Sequence, residues 1–108
     1  MSEEALREIE KLRIRLSGLK RAEDEARVSL GVCLDKWQKL IERLSKDDTP
    51  SQEDVLRLRL EAHEALEEAL EKESKLEHER SHLAESLGRL LLDVERGFQD
   101  YLRRSKEP

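Results

Sequence analysis

Apolar residues recur in steps of three and four along nearly the whole chain, and Asp47-Asp48-Thr49-Pro50 is the one convincing interruption. Such spacing gathers side chains on one stripe of an α-helix. The pattern therefore predicts an all-α protein of two long helices, over about residues 2–46 and 51–105, folded back as an antiparallel coiled-coil hairpin.

A heptad register makes the prediction specific. In the first half Ile9, Leu16, Glu23, Leu30, Trp37 and Leu44 fall at position a, and Ala5, Leu12, Leu19, Ala26, Cys33 and Leu40 at d. All but Glu23 are apolar, as a coiled-coil seam requires. In the second half Val55, Ala62, Ala69, Leu76, Leu83 and Leu90 fall at d, and Arg59, Leu66, Glu73, Arg80, Leu87, Val94 and Tyr101 at a. This seam is weaker in its middle, where Glu73 and Arg80 interrupt it. Antiparallel helices set a against d. Leu44 then meets Val55, Trp37 meets Ala62, Leu30 meets Ala69, Leu16 meets Leu83 and Ile9 meets Leu90, each pair equidistant from the Thr49–Pro50 bond. The large Trp37 facing the small Ala62 suits close packing. Glu23 lies level with the polar stretch of the other helix, where it is expected to pair with Arg80 or Lys72 or to stay hydrated.

The turn carries its own signals. Thr49-Pro50-Ser51-Gln52 offers a capping hydroxyl, a proline at the first helical position and a reciprocal Gln52, while Ser51 with Asp54 is an alternative cap. Glu3, Glu4, Glu53 and Asp54 suit helix N-termini, and Arg103, Arg104 and Lys106 suit a C-terminus. Gly18, Gly31, Gly88 and Gly97 each cost about 1 kcal/mol relative to Ala inside a helix. Breaks at Gly18 and Gly88 would convert the rods into shorter segments, so a three-helix, spectrin-like bundle is the alternative fold.

One seam does not use all the apolar residues. Position e of the first helix holds Leu6, Leu34 and Ile41 around Arg13, Lys20 and Arg27; position e of the second holds Leu56, His63, Leu70, Glu77, Ala84, Leu91 and Phe98. In an antiparallel pair these rows flank the seam on the same side. The other flank, from Glu8, Arg15, Ala22, Ser29, Lys36 and Arg43 to Leu58, Ala65, Lys72, Glu79, Ser86 and Asp93, is mostly polar. A contiguous apolar strip on a small soluble chain marks a contact. Leu34, Ile41, Leu56, Leu70, Leu91, Phe98, Tyr101 and Leu102 are the candidate partner-binding residues. A second copy would cover them by forming a four-helix bundle, or an amphipathic partner helix would lie among them.

Composition narrows the function classes. Charged residues make up 44% of the 108 residues and aromatics 3%, a coiled-coil profile rather than that of a compact enzyme core. A net charge of −5 leaves no cationic excess for nucleic-acid phosphates. Cys33 is alone in an apolar stretch and reads as a core thiol in a reducing compartment. No signal peptide is visible, and no apolar run approaches the roughly 20 residues of a membrane span. The expectation is a cytoplasmic protein, either one hairpin domain over residues 1–108 or a fragment of a longer coiled-coil protein.

His78-Glu79-Arg80-Ser81-His82 resembles the H-E-x-x-H segment of zinc proteases. The resemblance implies His78 and His82 as zinc ligands and Glu79 as the general base of a metal-dependent hydrolase. It covers five residues, and the metzincin extension is absent, since Glu85 and Gly88 stand where that pattern has glycine and a third histidine. In the heptad register both histidines point outward. Adventitious binding of Zn²⁺ or Ni²⁺ by this exposed pair fits them better, and no catalytic residue, cofactor or dedicated metal site is expected.

The expected function is a non-enzymatic interaction module: an adaptor, tether or cytoskeletal scaffold segment that self-associates, as a homodimer, or docks a partner helix. Small-GTPase effector hairpins and helical secretion chaperones share the architecture by analogy alone. The competing class is the hydrolase.

Overall fold

The computed structural model describes residues 2–46 and 48–106. They form two helices, α1 (Ser2–Leu44) and α2 (Gln52–Lys106), packed antiparallel as a hairpin, with no strand among the described residues. Asp47, within the expected break, lies outside them.

Local chemistry sets the helix ends. At the end of α1 the Ser45 amide donates to the Ile41 carbonyl at 3.0 Å, and its hydroxyl donates to the same oxygen at 2.7 Å. Arg43 reaches forward to Asp48 at 3.2 Å, placing a cation on the last turn and tying the connection down. Of the two caps the sequence offers, Ser51 is the one used: its hydroxyl accepts the Asp54 amide at 3.2 Å. That is the N-cap to N3 bond, which occupies an amide left unpaired by the helix. Pro50 therefore precedes the cap instead of opening the helix. Pro50 and Val55, both half-buried, take the two positions of a hydrophobic staple.

Neither Gly18 nor Gly88 breaks a helix, so the second turn that a three-helix bundle needs does not form. Among the described residues no φ is positive, and a Cβ added at Gly18, Gly31 or Gly88 would meet nothing within 4 Å. Helical hydrogen bonding on either side carries the chain through these positions.

The contacts divide the chain into two compact units: Arg21–Glu77, which includes the turn, and the residues up to Lys20 with those from His78 onward. In the turn unit the buried side chains are Ala26, Cys33 and Leu40 on α1 and Ala62, Ala69 and Leu76 on α2. All six are heptad d positions, spaced by sevens on both helices. The g rows beside them are half-buried: Ala22, Ser29, Lys36 and Arg43 on α1, with Leu58, Ala65 and Lys72 on α2. Lys36 and Glu61 form an ion pair at 3.7 Å across this flank. The seam is thus centred on d and leans towards g. Four of the six buried residues are Ala or Cys, too small to hold the helices apart. Of the a residues in this unit, Trp37 and Leu66 are half-buried, while Leu30 and Leu44 sit at the exposed margin.

The terminal unit is covered more thinly. Its d residues Ala5, Leu12, Leu19, Leu83 and Leu90 are half-buried, and no described side chain there is fully buried. Arg15 donates to the Ser86 hydroxyl at 3.1 Å, joining the two g rows as the register requires. Ion pairs elsewhere run mostly along single helices between exposed groups, such as Glu71 with Lys75, and contribute a few tenths of a kcal/mol each. Glu23 and Arg80, the polar residues within the seam, each have an interaction partner.

Candidate interaction surface

The two flanks of the seam differ in a way that d-centred packing explains. Turning a helix so that d faces its partner brings g inward and carries a and e outward, because g and a lie on opposite sides of d around the helix. In the turn unit the entire e row is exposed, from Arg27, Leu34 and Ile41 on α1 to Leu56, His63, Leu70 and Glu77 on α2. The half-buried Trp37, at a of α1, meets His63, at e of α2, edge to face with ring centroids 5.2 Å apart. That contact confirms the expected neighbourhood of Trp37 and Ala62, and shows that the a row of α1 and the e row of α2 share one side.

Of the partner-binding residues expected in this unit, Leu34, Ile41, Leu56 and Leu70 are each more than half exposed. Leu30 and Leu44 join them on the same side. Heptad periodicity assigned both to the seam, because it treats a and d alike. The volume bias was the available signal: small residues collect at d in Ala26, Cys33, Ala62 and Ala69, while large ones collect at a in Leu30, Trp37 and Leu44.

In the terminal unit Leu91, Phe98 and Tyr101 are exposed and Leu102 is half-buried. Phe98 and Tyr101 stack at 6.4 Å, one turn apart. Leu6, Leu16, Leu87 and Val94 add further exposed apolar surface. The expected residues thus form two sets, one in each unit. The opposite flank of the terminal unit is a shallow groove in which Arg7, Lys11, Arg89, Arg96 and Arg104 alternate with Glu4, Glu8, Asp93 and Asp100. Such balanced charge gives no field for a phosphate or a nucleic acid.

His78 and His82 are both exposed on α2, their Nε2 atoms 3.1 Å apart. Among the described residues, no group of three or more His, Cys, Asp and Glu side chains gathers to hold a metal. No described strand lies beside them to align a peptide. Cys33 is a buried free thiol. Among the described residues, no helix is long and apolar enough to cross a membrane.

No family model matches the chain, and no match was found among the curated proteins or the solved structures.

Proposed function

We propose that this chain is a non-enzymatic coiled-coil interaction module, an adaptor, tether or scaffold segment that works in the cytoplasm and uses the apolar a/e side of its helices to hold another helix or a second copy of itself. The observation that carries the reading is the asymmetry of the turn unit, where g is half-buried and mostly polar while e is exposed and rich in leucine. A solvated flank would be expected to show the reverse. Covering apolar area releases about 25 cal/mol per Å². Helices with a spare apolar side commonly gain this by pairing into four-helix bundles.

The test is Leu34→Glu combined with Leu70→Glu in the full chain. These e-row residues of the turn unit are 62% and 61% exposed, so they contribute little to the fold of a lone chain. Sedimentation of the unaltered protein at micromolar concentration should show a dimer, or a monomer that shifts on adding an amphipathic helical peptide. The double variant should lose that association while its helical circular dichroism changes little. A variant that unfolds would make these residues part of the core and defeat the proposal, and so would association unchanged by the double charge.

A further inference from the structure

We infer that His78 and His82 form a two-histidine chelate for one borderline transition-metal ion, of the Zn²⁺, Ni²⁺ or Cu²⁺ class, on the exposed face of α2. The inference stands apart from the docking proposal, since both histidines lie outside the a and e rows. Residues four apart on a helix are neighbours on one face, and here the two imidazoles also turn their Nε2 atoms towards each other. The rings stand edge to face, with centroids 4.5 Å apart and planes at 89°. The Nε2 atoms are 3.1 Å apart, and metal–nitrogen bonds of about 2.0–2.1 Å drawn from both would close at an angle of roughly 95–100°. That bite lies between octahedral and tetrahedral values.

Without an ion the two Nε2 atoms share a hydrogen bond whose donor is set by the ring tautomers. For a metal to bind, the donor ring carries its proton on Nδ1 instead, so that both Nε2 lone pairs are open to the ion. The ligand set also limits the kind of ion. Imidazole suits Cu, Ni and Zn, whereas Mg²⁺ and Ca²⁺ require oxygen ligands. Two protein ligands leave the remaining coordination positions open to water or to donors from another molecule. Glu79 follows His78 directly and so points away from the face the histidines share. It is not a ligand in this arrangement.

The experiment titrates Zn²⁺, and separately Ni²⁺, into the full chain by calorimetry, and follows imidazole proton resonances during a Ni²⁺ titration. One ion should bind per chain, Mg²⁺ should produce no heat, and the resonances of His78 and His82 should broaden before those of His63. His78→Ala and His82→Ala should each weaken binding at least tenfold, since even second-shell partners of a metal are worth roughly 10- to 100-fold. Glu79→Gln should leave binding unchanged. Circular dichroism of each variant, superimposable on that of the parent, would show that a loss of affinity is a loss of ligand. Retained affinity in either alanine variant, or equal broadening of all three histidines, would mean an adventitious ion only and overturn the site. Affinity lost in Glu79→Gln would overturn the two-histidine ligand set.

Discussion

Replacing Leu76 and Leu30 by alanine, one at a time, separates a d-centred seam from a symmetrical one. Both lie in the turn unit, and periodicity gives them equivalent seam positions. In the structure Leu76 is 4% exposed and Leu30 45% exposed. Truncating a buried leucine removes its transfer energy and leaves a cavity, costing about 2–5 kcal/mol; helices free to close on the gap favour about 2–3 kcal/mol. Leu30 has given up only about half of its accessible surface. Full burial of a leucine is worth about 1.5–3 kcal/mol, so its loss costs about 1 kcal/mol. A difference of about 1.5 kcal/mol corresponds to roughly 6–10 °C between the two melting midpoints for a chain of this size. Thermal melts by far-ultraviolet circular dichroism, at a concentration where sedimentation shows a monomer, measure it directly. Equal midpoints would refute the reasoning, because a and d would then be meshed alike. Raising the concentration extends the test. If the a/e side docks a second copy, the deficit of Leu30→Ala should grow with protein concentration, as association stabilises the unaltered chain by mass action.

Two further substitutions test the local chemistry. Ser51→Ala removes the oxygen that accepts the Asp54 amide and should cost about 1 kcal/mol, whereas Thr49→Ala should cost much less; denaturant midpoints showing the opposite order would move the cap back to Thr49. Gly18→Ala, Gly31→Ala and Gly88→Ala should each raise stability by about 0.5–1 kcal/mol, since ordinary helix backbone surrounds each of them and nothing blocks a Cβ. A lower melting midpoint for any of the three would show that the helix needs its glycine.

The sequence by itself determined what is local or periodic. Three-four spacing specified two helices, because burial on one face of a helix repeats every 3.6 residues whatever the partner. The cluster at residues 47–51 marked the reversal, and the register put Trp37 beside Ala62, where its ring is found against His63. The apolar e row was also legible, and the structure leaves Leu34, Ile41, Leu56 and Leu70 exposed as expected. Tertiary structure decided what depends on the distance between the helices. Ala26, Cys33, Ala62 and Ala69 let them meet along d, which drew the g rows into half-burial and turned Leu30 and Leu44 outward. A heptad pattern carries phase but not separation. The choice between Ser51 and Thr49 as cap likewise awaited three dimensions, since both hydroxyls precede helix-forming residues and only the backbone geometry brings one of them to an amide. The pairing of His78 with His82 has the same origin: the four-residue spacing allowed their approach, and the side-chain rotamers produced it.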